Sequence, residues 1–249
     1  LGADRITIVS RKGPVSYENL EPYQDSTVII NTTPVGMYPN NGESLINLSL
    51  FKECTAVVDV VYNPLKTRLI LEAESLGLKT TGGLPMLVAQ ARTASELFTG
   101  ETINDDKVEE IINKLYKEKE NIVLIGMPGC GKSTIGAALS KLTEKELIET
   151  DCLVEQLEGK SIPEIFEEKG EKYFRELEMK VVASAGKRSG VIISTGGGVI
   201  LHKENLEPLK QNGHIYFIKR PINALSRDGR PLSKSLEALE EMYKIRLPL

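Results

Sequence analysis

The chain contains no tryptophan, two histidines and three cysteines in 249 residues. Cys54, Cys130 and Cys152 are too few and too scattered for a disulfide framework or a CxxC metal site, so they read as reduced thiols. His202 and His214 stand in no pattern with an acid or a nucleophile, and both read as structural. No apolar run approaches the roughly 20 residues that a membrane helix needs, and the first residues lack the charged-then-apolar order of a signal peptide. A cytoplasmic protein without a membrane partner is expected. There is no basic excess either: a net charge of −4 offers no general attraction to nucleic acid. The ends lack an initiating methionine before Leu1 and a cap or polar tail after Pro248, which marks a fragment of a longer polypeptide.

What is present is an ordinary soluble composition, 41% hydrophobic and 27% charged, enough to bury real cores. Short β-branched runs recur at Ile6–Val9, Thr27–Ile30, Ala56–Val61, Asn121–Ile125, Val191–Ser194 and His214–Ile218, separated by helical patterns. The first is expected to form a strand over Arg5–Ser10. Strands alternating with helices imply parallel sheets. Between the two sets a polar stretch carries Val108, Ile111, Ile112 and Leu115 at helical spacing, with Asn104 or Asp105 as N-cap. The expected organisation is therefore α/β, with residues 1–103 as one parallel-sheet domain, 104–120 as a helical linker and 121–249 as a second.

Residues 121–134 read NIVLIGMPGCGKST, a strand running into the GxxxxGK[ST] frame and then a helical sequence. That order is a P-loop. Gly126, Met127, Pro128, Gly129, Cys130, Gly131, Lys132, Ser133 and Thr134 would curl so that backbone N–H groups and a helix N-terminus face phosphates. Lys132 would reach the β and γ oxygens and Ser133 would bind Mg²⁺, which makes ATP the expected donor.

Further residues bear on the acceptor. Glu149 and Asp151 lie two apart at an expected strand end, so their side chains should diverge, one to metal and one to acceptor. Arg175 and Glu178 are three apart on one helical face. Gly196, Gly197 and Gly198 follow a strand at once and permit close backbone approach to a ligand. Arg230 and Arg246 supply guanidinium groups suited to gripping carboxylate or phosphate. The capping box Ser161 to Glu164 reads as helix initiation.

Together these residues resemble the shikimate kinase family over nearly all of residues 121–249. The resemblance implies a three-layer P-loop fold of the nucleoside-monophosphate-kinase type and phosphorylation of shikimate by ATP. It implies that Asp151 holds the ring hydroxyls and accepts the proton of the attacking one. Arg175 and Arg246 would clamp the substrate carboxylate, with Gly196, Gly197 and Gly198 lining the same pocket. Lys132 and Arg230 would stabilise the transferring phosphoryl group, Arg230 from a lid. Ser133 and Glu149 would hold Mg²⁺. Three departures stand out: Glu149 replaces the family's usual Asp, the lid between Lys219 and Leu232 is short, and the chain stops just after Arg246. The short lid leaves Arg227 aligned with the family's adenine-stacking arginine only across a gap.

In the first hundred residues, Ser10, Arg11 and Lys12 close an expected strand, where a basic group accommodates the 2′-phosphate of NADP. The strings NTTPVGM and GGLPMLVAQ resemble part of the nucleotide domain of shikimate dehydrogenase, a Rossmann-like fold. That resemblance implies NADP contacts at Asn31, Thr32, Thr33, Pro34, Val35, Gly36, Met37, Gly83 and Met86, and a substrate side at Tyr62 and Gln90. The dehydrogenase's catalytic domain and its Gly-rich turn are missing, so hydride transfer is not expected. The two resemblances describe consecutive steps joined in one chain. Two alternatives stay open: a P-loop kinase of another small acceptor, such as a sugar acid or nucleoside monophosphate, and a truncated nucleotide-binding fragment without turnover.

Overall fold

The computed structural model describes residues 2–225 and 236–248, so the predicted Arg227 and Arg230 lie outside the described residues. The chain divides into two compact units, Leu1–Ile112 and Asn113–Leu249. Both are built on parallel sheets. Among the described residues no helix is long and apolar enough to cross a membrane.

In the first unit β1 (Val28–Asn31), β2 (Ala56–Asp59) and β3 (Lys79–Thr81) pair in parallel in that order. Helix α1 (Arg68–Ser75) packs Leu69, Ile70 and Ala73 against Val57 and a loop cluster of Leu48, Phe51 and Cys54. Burying each of these larger aliphatic side chains contributes about 1.5–3 kcal/mol. Helix α2 (Leu84–Thr99) starts at Gly83, where a Cβ would come 2.0 Å from the Val60 carbonyl oxygen, so only glycine lets the helix begin this close to the end of β2.

The expected strand at Arg5–Ser10 is a correction: those residues form one isolated bridge, Val9 to Val15, with Ile6 and Ile8 about four-fifths exposed. β-branched residues favour an extended chain, but a strand needs a neighbouring backbone to complete its ladder. Among the described residues only the backbone at Val15 meets it, with the Ser10 N–H donating to the Val15 carbonyl at 3.0 Å, too little for a ladder. Strand β3 escaped the sequence reading, and β5 (Leu147–Glu149) supplies the strand end expected at Glu149 and Asp151; each has three residues.

Helix α3 (Asp105–Lys119) begins as expected, with the Asn104 side chain accepting the Lys107 N–H at 2.9 Å. Its far end is tightly held in the second unit. Lys145 Nζ donates to the carbonyls of Lys117, Glu118 and Glu120 at 2.9, 3.0 and 2.9 Å, which satisfies acceptors that a helix end leaves open.

The second sheet is β4 (Asn121–Ile125), β5, β6 (Ile192–Ser194) and β7 (Gly213–Phe217), all parallel, in the spatial order β5-β6-β4-β7. Val123 and Leu124 point to opposite faces. Val123 packs with Val182 and Ala185 of α6 (Ile162–Gly186) and Leu209 of α7 (Leu206–Gln211). Leu124 faces Gly136 of α4 (Lys132–Thr143), where the missing side chain admits Leu147. Helices therefore cover both faces, as a parallel sheet requires. Helix α5 (Thr150–Glu158) packs on α6, which is kinked at Gly170 with φ 77°. Glu164 accepts the Ser161 backbone N–H at 2.8 Å, the capping-box contact expected there. The last described helix is α8 (Leu236–Arg246).

We expect Lys145→Met to destabilise the second unit by about 1–2 kcal/mol, the scale of charged hydrogen bonds lost at a partly exposed site. Urea denaturation of the full chain measures it.

Candidate active site

Because all four strands of the second sheet are parallel, their C-terminal ends lie on one edge, and the loops after them converge. After β4 comes Gly126 to Gly131, after β5 Thr150 and Asp151, after β6 Thr195 to Gly198, and after β7 Ile218 to Arg220. One cavity of about 470 Å³ is lined from all four. It takes in Lys132, Ser133, Glu149, Asp151, Arg175, Gly196 to Gly198 and Arg246, so the predicted phosphate cradle and the predicted acceptor cluster share a single space.

Three glycines let the two halves meet. A Cβ on Gly196 would come 2.6 Å from Asp151 Oδ1, one on Gly197 2.6 Å from Pro128 Cγ, and one on Gly198 2.3 Å from Arg175 Nη1. The P-loop has positive φ at Gly126, Gly129 and Gly131, 148°, 79° and 97°, which only glycine adopts readily. Lys132 is buried, and its Nζ donates to the carbonyls of Gly126 and Met127 at 2.9 and 3.1 Å. Glu149 ends β5, whereas Asp151 sits in the first turn of α5, so the pair does not continue a strand; two residues apart on a strand would share one face, and here both line the cavity across a strand-to-helix turn.

Arg175 is buried within α6. Its Nε and Nη2 donate to Glu171 Oε1 at 3.3 and 3.0 Å, and its Nη1 to Glu178 Oε2 at 2.9 Å. A guanidinium has five N–H groups, so among the described residues one donor stays open on each terminal nitrogen, the pair a carboxylate would take. Arg246 is also buried and donates to the Gly197 carbonyl at 3.0 Å. Burial, and next the like charge of Arg175, pull the Arg246 guanidinium below its usual pKa. Two cations held together out of water favour an anion between them.

Glu178 is 1% exposed, and its Oε1 is the buried side-chain atom among the described residues without a hydrogen-bond partner. Burial pushes this carboxyl above its usual range against the opposing pull of Arg175, and the nearby Asp151 adds to the rise. Serine and carboxylate oxygens of Ser133 and Glu149 face the same cavity, and among the described residues no group of three metal-ligating side chains gathers anywhere. That donor set fits Mg²⁺, which takes one or two protein oxygens and completes its shell with water and phosphate.

A family model described as shikimate kinase matches residues 128–249. The shikimate kinase of Clostridium botulinum (strain ATCC 19397 / Type A) is 47% identical over 139 residues, which are 52% of this chain and 82% of that protein. The chain belongs to the shikimate kinase family. A solved shikimate kinase from Acinetobacter baumannii, in complex with shikimate, is 35% identical with a TM-score of 0.52, over 54% of this chain and 80% of that one. A chorismate mutase/shikimate 5-dehydrogenase fusion protein from Clostridium acetobutylicum is 38% identical with a TM-score of 0.39, over 41% of this chain and 37% of that one.

Several residues at this family's site went unnamed in the sequence reading. Thr150 is buried and its Oγ1 accepts the Gly196 N–H at 3.1 Å, tying the glycine turn to α5 beside Asp151. Thr195 anchors the same turn to β4 by donating from N and Oγ1 to the Leu124 carbonyl, at 3.1 and 3.0 Å. A threonine directly between two candidate acids was the available signal.

In the first unit, Asn31 to Met37, Tyr62 and Gly83 to Gln90 follow the ends of β1, β2 and β3, again on one sheet edge. Thr32, Met37, Tyr62, Met86 and Gln90 are exposed, as are Arg11 and Lys12. Asn31 and Thr33 are engaged locally: Asn31 Nδ2 donates to Asp59 Oδ1 at 3.0 Å, and Thr33 donates from N and Oγ1 to Asn31 Oδ1 at 3.0 and 2.7 Å. Asp59, fully buried, also accepts from Thr67 Oγ1 at 2.6 Å and the Val61 N–H at 3.0 Å. An acid inside the apolar run AVVDVV was its signal. The cavity beside this unit's Val35, Gly42, Arg68 and Glu72 includes none of Ser10, Arg11, Lys12, Gly83 or Met86.

A carboxyl whose folded-state pKa lies above its unfolded-state value binds its proton more tightly when folded. Its stabilising contribution is full below the ordinary value of 4.5 and drains away as pH rises through the raised one. Wild type should therefore lose stability relative to Glu178→Gln as pH climbs through that window, read by urea midpoints of both proteins from acid to neutral pH. A flat difference would show that this carboxyl does not titrate with folding.

Proposed function

We propose that this chain transfers the γ-phosphoryl group of ATP to the 3-hydroxyl of shikimate, giving shikimate 3-phosphate and ADP. One observation carries the reading: Lys132, Asp151, Arg175 and Arg246 line the same cavity, and both guanidinium groups are buried. Shikimate is a carboxylated polyol, and each part has a counterpart. Its carboxylate would take the open donors of Arg175 and the guanidinium of Arg246. Its hydroxyls would meet Asp151 and the unpartnered Oε1 of Glu178, an acceptor that a ligand hydroxyl would satisfy.

In the reaction, Asp151 accepts the proton as the 3-hydroxyl oxygen forms its bond to the γ-phosphorus, and the bond to the ADP oxygen breaks. Backbone N–H groups of residues 129–134 and the N-terminus of α4 face the phosphates, and Lys132 leaves its carbonyl partners for the β and γ oxygens. Mg²⁺, held by Ser133 and Glu149, would neutralise phosphate charge. Most of the acceleration would come from positioning and fixed charge, since phosphoryl transfer asks little covalent chemistry of the protein. Arg230, in the lid by family resemblance, would add charge at the γ-phosphate.

The first unit we read as part of a shikimate dehydrogenase nucleotide domain, in which family resemblance supports Arg11 and Lys12 as the basic groups for the 2′-phosphate of NADP, although no strand forms before them, and Tyr62 and Gln90 as the substrate side. The two parts then correspond to consecutive steps on one intermediate in the cytoplasm, with the functional boundary in the segment 104–120, and hydride transfer is not expected of residues 1–103 by themselves.

A coupled ADP-release assay with shikimate, gluconate and nucleoside monophosphates tests the acceptor. Turnover is expected with shikimate; turnover confined to another acceptor would overturn the assignment. Asp151→Asn should lower kcat by about 10²–10⁴, the range of general-base catalysis, with ADP binding retained. Arg175→Lys should raise the KM for shikimate about tenfold by losing a two-pronged contact, and an unchanged KM would remove Arg175 from the carboxylate site.

A further inference from the structure

A cation outside the predicted set stands over the donor side of the cavity. Arg220 follows β7, lines the cavity, and holds its Nη1 4.0 Å from the point that a Cβ on Gly131 would occupy. Its placement is fixed by the backbone. The Ile218 N–H donates to the Ile125 carbonyl at 2.8 Å, extending the β4–β7 pairing. Gly126 permits this approach, since a Cβ there would sit 2.7 Å from the Ile218 carbonyl oxygen. Pro221, with φ −55° and ψ 140°, then turns the chain into a 3-10 turn directly after Arg220. Among the described residues the exposed Arg220 guanidinium makes no hydrogen bond or ion pair.

Sheet order decides which part of the nucleotide it would meet. Asp151 and Gly196 to Gly198 follow β5 and β6, on one side of β4, and Arg220 follows β7, on the other. Gly131 is the N-cap of α4, the anion-binding end of that helix. We propose that Arg220 is a nucleotide-binding residue that contacts the α- and β-phosphates, which ADP and ATP share, rather than the phosphoryl group being transferred. A fork of N–H donors beside a helix N-terminus grips phosphate oxygens in the way a guanidinium is suited to. The assignment rests on the P-loop reading of the site and not on the identity of the acceptor.

Calorimetric titration of the full chain with ADP and magnesium tests it without turnover. Arg220→Ala is expected to weaken ADP about tenfold, the scale of one charge-assisted contact, with Arg220→Lys intermediate. The ATP KM should rise in parallel, the shikimate KM should hold, and the urea midpoint should be unchanged because the side chain packs against little. Added salt should weaken ADP more steeply in the wild type than in Arg220→Ala. ADP affinity within about twofold of wild type in Arg220→Ala, or a loss seen only in the shikimate KM, overturns the proposal. Wild-type chain that binds no ADP overturns it together with the P-loop reading. ADP binding without shikimate turnover overturns only the acceptor assignment.

Discussion

The second unit is organised around a close approach that side chains would forbid. Between β6 and the following turn, three successive residues pass within contact of the P-loop proline, the first turn of α5 and the guanidinium on α6, and each would collide with its neighbour if it carried a Cβ. The proposed phosphate cradle follows β4 and the proposed acceptor cluster comes from β5, β6, α6 and α8, so this turn is the seam between the two halves. Thr195 pins the seam to β4 and Thr150 pins it to α5, each through a buried hydrogen bond to backbone. Rigid spacing across the seam is what in-line transfer between two bound substrates demands.

Electrostatics divide the same cavity into two positively charged regions of different character. The cradle uses backbone dipoles and one lysine, which donates to carbonyls of its own loop. The other site uses two buried guanidinium groups whose mutual repulsion is tempered by Glu171 and Glu178. Those acids hold Arg175 in place by engaging part of its fork and leaving the rest open, a division of labour that lysine, with a single ammonium, could not reproduce. Glu178 is costly to bury, and an unpartnered oxygen at the wall of a pocket is the kind of local expense found where a protein binds something polar.

In the first unit a buried acid, not a glycine seam, sets the loops after the strands. Asp59 joins the end of β1 through Asn31, the start of α1 through Thr67, and its own turn through the Val61 N–H. The turn Asn31–Val35 is held by its own side chains, since Thr33 also closes on Asn31. Its sheet leaves Val28 and Ile30 of β1 about half exposed. The run Ile6–Val9 has the composition of a strand and remains a single bridge, because composition sets a preference while a ladder requires a second backbone.

The sequence alone determined the phosphate cradle, because a P-loop is local: strand, glycines, lysine and helix are contiguous, and their geometry follows from φ values that glycine makes accessible. It also determined the alternation of strands and helices, and hence parallel sheets, and it marked Asp151, Arg175, Gly196 to Gly198 and Arg246 as an ensemble through family resemblance. Only the tertiary structure decided that these distant segments share one cavity, that Asp151 sits on a helix rather than a strand, and that Thr150 and Thr195 hold the seam. Strand β3 is too short to leave a periodic signal, and Arg220 reads as surface charge until β7 takes its place beside β4. Contacts between residues many positions apart depend on sheet order, and sheet order is fixed by the packing of whole faces rather than by any run of neighbours along the chain.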